Sequence, residues 1–258
     1  MLNWLRHLFA SPDRRLQIYL ADPHTHEKRI LKLGEQAVAG LIALLDNERD
    51  GWMAASLLGR LGVRSPRILD ELRRRLDGKG GISESCARAL ARLGDTEFVM
   101  SVVSDEAKQQ HAIHGIVSLL KESSISPLDY RPMEKLLNSG SEHVASLIHE
   151  ELAPGASLIE IKPSGIDEAM RGLRSEHAII RQHAVQVLGD RGLGHAASEI
   201  VLPALAERLQ DENADVRRLA LLSLAEWKSA AKPYHEEMRK RLNDPDGLVR
   251  STATYVFE

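Results

Sequence analysis

Three stretches decide how this chain folds: IIRQHAVQVLGD at 179–190, DVRRLALLSLAEW at 215–227 and LVRSTATYVFE at 248–258. In each, an arginine (Arg181, Arg217, Arg250) follows an apolar residue. An alanine (Ala184, Ala220, Ala253) comes three positions later, and an apolar residue (Leu188, Leu224, Phe257) four after that. That spacing lines one face of a helix. The arginines lie 36 and then 33 residues apart, a period typical of stacked helix pairs, in which each unit buries its apolar face only against its neighbours.

Working outward, the second helix of each unit ends in an Arg-Leu pair followed by an acid: RRRLD around Leu76, ERLQD around Leu209 and KRLND around Leu242. Weaker copies, KLGEQAVAGLIALLD from Lys32, SLLGRLG from Ser56 and SCARALARLGD from Ser85, extend the pattern toward the N-terminus. Ser11-Pro12, Asp22-Pro23 and Ser65-Pro66 each set a capping side chain before a proline at a first helical position. The LGE and LGD sequences place glycine where a helix ends in a left-handed residue. The pattern predicts an all-α chain of roughly six antiparallel helix pairs. It is read as a single domain, 1–258: cap helices over 1–22, repeats over 23–121, a degenerate irregular stretch over 122–165, and repeats over 166–258. The apolar helix Met1–Ala10 is read as the N-terminal cap, with membrane-surface binding as its alternative.

The stretches ADVRRLALLSLAE (214–226), GLVRSTA and IIRQHAVQVLGD resemble HEAT repeats, over roughly 23–121 and 166–258. The resemblance implies a right-handed α-solenoid with first helices on the convex side and second helices lining a concave groove. It also implies that Arg181, Arg217 and Arg250 form a structural ladder with acids such as Asp215 and Asp246. Most members of the family bind proteins; bacterial ones of this size resemble adaptors, lyase subunits or immunity proteins that occlude a toxin.

Composition narrows the function. The chain has 34 Lys and Arg against 37 Asp and Glu, a net charge of −3, without the basic excess of a nucleic-acid binder. One cysteine, Cys86, supplies neither an internal disulfide nor a cysteine-rich metal site, so a cytoplasmic compartment is expected. No Gly-rich phosphate loop or G-x-S-x-G motif is present. Charge is uneven: residues 60–92 hold nine basic and four acidic residues, residues 93–160 four basic and eleven acidic. Such polarity suits the orientation of a charged partner; the competing reading is two solvated helix faces.

Helical wheels place candidate contacts on the second helices. Ile68, Leu69, Leu72 and Leu76 form one buried stripe, leaving Arg67, Asp70, Glu71 and Arg74 for a partner. Leu202, Leu205 and Leu209 leave Glu199 and Glu207; Ala231, Met238 and Leu242 leave Glu236, Glu237 and Lys240. Tyr130, Trp52 and Tyr234 are candidate aromatic anchors, with core packing the favoured reading for Trp52. His111, His114, His143 and His149 are the residues a metal reading rests on. The His-Glu dipeptides at 26, 149 and 235 do not reproduce the paired pattern of deoxyhypusine-type hydroxylases. The expected function is a non-catalytic scaffold, adaptor or inhibitor, that takes a protein partner, without cofactor, nucleic acid or membrane insertion. It carries the option of a homodimer through an exposed solenoid end. The alternatives are a metal-dependent or bilin-lyase-like enzyme and nucleic-acid binding.

Overall fold

The computed structural model describes residues 12–76, 80–121, 128–152, 165–189 and 197–258. Every element among them is helical, as the sequence predicts: α1 Pro12–Ala21, α2 Pro23–Leu33, α3 Val38–Leu44, α4 Gly51–Leu61, α5 Pro66–Arg74, α6 Gly80–Arg92, α7 Thr96–Ser101, α8 Glu106–Lys121, α9 Arg131–Leu137, α10 Glu142–Leu152, α11 Ile166–Gly172, α12 Ala178–Leu188, α13 Ser198–Arg208, α14 Ala214–Glu226, α15 His235–Lys240 and α16 Gly247–Phe257. No described helix is long and apolar enough to cross a membrane. The helix expected over Met1–Ala10 lies outside the described residues. The chain divides into two compact units, Met1–Ser118 and Leu119–Glu258.

Within each unit the solenoid pattern is direct: a first helix packs on the first helix of the next pair. In the first unit α4 packs on α6; in the second α10 packs on α12, α12 on α14 and α14 on α16. Second helices also pack on the first helix of the next pair, as α5 does on α6 and α13 on α14. The wheel predictions hold: Ile68, Leu69, Leu72, Leu76, Leu202, Leu205, Leu209, Ala231 and Met238 are buried, while Leu242 is half-buried. The stretch expected to be irregular contains a helix pair, α9 and α10, anchored by buried Met133, Leu136, Val144 and Ile148. Proline and glycine there delimit short helices. The extended segment considered around 157–161 lies outside the described residues.

Caps and glycines follow the sequence with one exception. Asp22 accepts from the Thr25 amide at 3.3 Å and Ser65 Oγ from the Ile68 amide at 3.3 Å. Gly34 and Gly94 take positive φ, 56° and 77°. Gly189, in the same LGD context, does not; its φ is −73°. Its glycine is required instead by packing, because a Cβ there would lie 2.5 Å from Ser223 Oγ.

Close approach is also what Gly115 provides. A Cβ on it would meet the Ala87 carbonyl carbon at 2.7 Å, where α8 crosses α6, whereas a Cβ on Gly81 in α6 meets nothing. Gly115→Ala therefore lowers stability, by roughly 1–3 kcal/mol for an overpacked helix crossing. Gly81→Ala leaves it unchanged or raises it by up to about 0.5 kcal/mol through lower unfolded-state entropy. Urea unfolding of the two variants checks both signs.

Candidate functional site

The arginines of the repeats are built into its joints. The Arg217 guanidinium donates from Nε and Nη2 to the two carboxylate oxygens of Asp244 at 2.9 and 2.8 Å. Its Nη1 donates to the Asp211 and Glu212 carbonyls at 2.8 and 3.1 Å. Arg181 repeats this arrangement: Nε and Nη2 on Asp211, both at 2.9 Å, and Nη1 on the Ser175 and Glu176 carbonyls at 3.0 and 2.9 Å. One planar group thus ties the turn before its own helix to the turn before the next first helix. The bidentate fork makes this a job for arginine rather than lysine.

The acids in the ladder are not those the resemblance suggested. Asp215 sits 3.4 Å from Arg218, one turn along its own helix. Asp246 caps α16, accepting from the Leu248 and Val249 amides at 2.9 and 3.1 Å. The ladder acids are Asp211 and Asp244, each two residues before a cap residue, Asn213 or Asp246, whose amide donates back to it at 3.0 Å. The sequence signal is therefore Asp-x-Asn or Asp-x-Asp ahead of the helix, with the arginine of the preceding repeat.

Elsewhere in the second unit a different cluster does this work. Tyr130, proposed as an exposed anchor, is fully buried, its hydroxyl 2.9 Å from His183 Nδ1. Its amide donates to Glu168 at 2.8 Å, and Arg171 bridges Glu168 and Glu134. Burial pushes the Tyr130 phenol well above its ordinary range, and the neighbouring Glu168 adds to this. Trp52, assigned to the core, is instead 41% exposed, with the His24 ring 5.1 Å away. A single aromatic in an amphipathic pattern does not reveal which side of the stripe boundary it falls on.

Three of the nine basic residues at 60–92 are paired with acids outside that window. Arg60 pairs with Glu27, Arg73 binds Asp95 through Nε and Nη2 at 2.8 Å each, and Arg75 binds Asp46 at 2.6 Å and Glu71 at 2.5 Å. Counting charge along the sequence missed these partners because they lie one repeat away. On α5, Arg67, Asp70 and Arg74 share an exposed face, as predicted. Arg74 lies 2.5 Å from Glu71, which is half-buried and also engaged by Arg75. Arg67 is exposed on that face as well.

In the second unit Glu199 and Glu207 are exposed on α13, beside Ile200, an exposed apolar residue the wheel overlooked. Glu207 lines a cleft of about 310 Å³ that includes Arg181 and Asp211. On α15, Glu236 and Lys240 are exposed; Glu237 is half-buried, and its Oε2 is buried without a hydrogen bond among the described residues. The α13 and α15 candidates thus stand on consecutive second helices of this unit. No three His, Cys, Asp or Glu side chains among the described residues gather in a metal-binding arrangement. His114 is instead engaged by Glu84 at 2.9 Å and Arg88 at 2.7 Å. Cys86 is buried.

Comparison with known proteins agrees with the helical pairing. Residues 131–225 match the family described as HEAT repeats, in keeping with the stacked helix pairs of the second unit. No curated protein matches it. Similar solved structures include an engineered protein with 18% identity, covering 86% of this chain and 67% of that one, TM-score 0.38. Human deoxyhypusine hydroxylase in complex with glycerol is similar at 18% identity, with 94% and 93% coverage and TM-score 0.37. A designed armadillo repeat protein in complex with the peptide (KR)4 is similar at 13% identity, with 96% and 98% coverage and TM-score 0.35. At these scores the likenesses assign no activity.

The ladder makes two predictions. Burial raises the Asp244 carboxyl, but the Arg217 bonds, the Asp246 amide and the nearby Arg217 and Arg241 charges outweigh it and hold the group below its ordinary value. A lowered folded-state value means stability that is complete above the unfolded value and lost as pH falls through the folded one. The unfolding free energy should therefore decline below about pH 4, and Asp244→Asn should flatten that decline. Separately, Arg217→Leu leaves Asp244 buried with one cation fewer and should lower stability by about 3 kcal/mol. Arg217→Leu with Asp244→Leu should lower it less than the single change, as a double-mutant cycle in urea will show.

Proposed function

We propose that this chain is a non-catalytic scaffold that holds another protein against the exposed faces of its second helices, as an adaptor or an inhibitor of the immunity type in the cytoplasm of a bacterium. The observation that carries this reading is the division of labour among its charges. Arg181 and Arg217 are buried in the repeat joints and engaged bidentately by Asp211 and Asp244, which fixes each of these repeats on its neighbour. Arg67, Asp70 and Arg74 on α5, Glu199 and Glu207 on α13, and Glu236 and Lys240 on α15 point into solvent, where they contribute little to stability. Glu71 and Glu237 support these faces from half-buried positions. A rigid frame with mixed charge outside suits a partner selected by electrostatic complementarity, since such contacts set specificity and association rate.

Arg67→Glu with Arg74→Glu tests the reading. The partner is first captured from native lysate on the tagged full chain and identified. The double reversal should then weaken its binding by about tenfold, mostly through the association rate, with the melting temperature unchanged. Equal affinity would remove α5 from the interface. A chain that captures no protein at all would end the scaffold reading.

A further inference from the structure

In the first unit, the turn between α3 and α4 holds Asp46, Glu48 and Asp50 against one arginine, Arg49. Asn47 fixes its shape, its side-chain carbonyl accepting from the Arg49 and Asp50 amides at 3.0 Å each. Asp46 is positioned through one carboxylate oxygen, Oδ1, which accepts from Arg75 Nε and Nη2 at 2.9 and 2.6 Å. Its Oδ2 accepts no hydrogen bond among the described residues, and its side chain is 75% exposed. Glu48 is exposed and makes no ion pair among the described residues. The cations nearby are already committed. Arg75 is buried and also donates from Nη1 to the Glu71 carboxylate and carbonyl at 2.5 and 2.8 Å. Arg49 and His24 lie against Asp50, at 3.8 and 3.6 Å.

Asp46 and Glu48 border a cleft of about 470 Å³ that Trp52 and Ile82 also line. Trp52 stands on the first turn of α4, where Met53, Ala54, Leu57 and Leu58 form the buried face and the indole is left exposed. Apolar surface left in water gains free energy when a bound group covers it. The walls select what that group is. An indole face attracts a cation through its quadrupole, more strongly than tyrosine or phenylalanine. The two carboxylates attract a cation too, and they repel a phosphate. A bare metal ion would need more oxygen donors than the described residues gather. A guanidinium satisfies both kinds of wall, because its flat face stacks on an aromatic ring while its N–H fork engages a carboxylate. Asp46, Glu48 and Trp52 are all exposed, so a side chain carried on another protein reaches them without entering the core.

We propose that this cleft is a pocket for an arginine side chain of the partner protein, its guanidinium stacked on Trp52 and donating to Asp46 Oδ2 and Glu48. Arg75, the residue that follows α5, forms part of the cleft wall. The pocket therefore adjoins the end of α5, the helix on which the scaffold reading places the partner. The proposal rests on that reading and adds to it the side chain that the partner presents.

The probe is a capped tripeptide, acetyl-Gly-Arg-Gly-amide, whose only charge is the guanidinium. It is titrated into the full chain labelled with nitrogen-15, and binding is read from the Trp52 indole N–H and the Gly81 amide, since Gly81 also lines the cleft. Saturable shifts of both resonances are expected. The same peptide with citrulline, uncharged and nearly isosteric, should bind about tenfold more weakly, as for loss of a cation–π contact and a charged pair together. Glu48→Gln should weaken arginine binding about threefold, and Trp52→Leu, followed through Gly81, should weaken it further. Melting curves of both variants guard against unfolding. Equal binding of the arginine and citrulline peptides, or shifts that neither variant reduces, overturns the proposal. A lysine peptide that binds as tightly overturns the choice of arginine. Binding that appears only after Lys79→Ala would make this chain's own lysine the occupant and likewise overturn the proposal. Failure of the tripeptide removes this pocket alone; the scaffold reading stands or falls with partner capture.

Discussion

The repeat joint of the second unit depends on a guanidinium used on all its edges. Arg181 and Arg217 each satisfy two backbone carbonyls of one turn and both oxygens of an aspartate in the next. A buried charge is tolerated only when such pairing is complete, because desolvation otherwise outweighs the attraction. The geometry therefore fixes register as well as supplying energy. A helix shifted by one residue would break the fork on one side and orphan the carbonyls on the other.

Around these joints the remaining contacts follow from the need for first helices to lie close together. Gly189 admits Ser223, whose hydroxyl donates to the Val185 carbonyl at 3.0 Å, and Trp227 Nε1 donates to the Leu188 carbonyl at 3.1 Å. Small residues and back-donating polar groups set the spacing, and leucine, isoleucine and valine fill the rest of the core. The first unit reaches the same end by different means. There Arg75, just after α5, reaches Asp46, Arg73 of α5 reaches Asp95, and Gly115 rests on Ala87. Two solutions to one packing problem are expected where each unit needs only to match its neighbours.

This division explains how function and fold coexist on so few residue types. A charge buried in a joint is lost to any partner. The net charge of a sequence window therefore says little about the surface, as residues 60–92 show once Glu27, Asp46 and Asp95 are counted in. What remains exposed on α4, α5, α13, α15 and α16 is a sparse set, in which Trp52, Ile200, Leu248 and Tyr255 are the large apolar members. Sparse charge with occasional large apolar groups resembles the make-up of a recognition surface, where a few anchors carry most of the binding energy.

The sequence by itself determined the helices, their pairing and their buried stripes. These are local or periodic properties: apolar spacing of 3.6 residues, capping side chains before proline, and recurrence at 33 to 36 residues. The resemblance to HEAT repeats also implied a structural role for Arg181, Arg217 and Arg250. The sequence did not reveal which acids their partners were, that Tyr130 is core and Trp52 surface, that Gly189 serves packing rather than a left-handed turn, or that 131–152 is a helix pair. Each of these depends on what lies across a joint 22 to 53 residues away in the chain. Tertiary structure alone brings those residues within the few ångströms over which hydrogen bonds and close packing act.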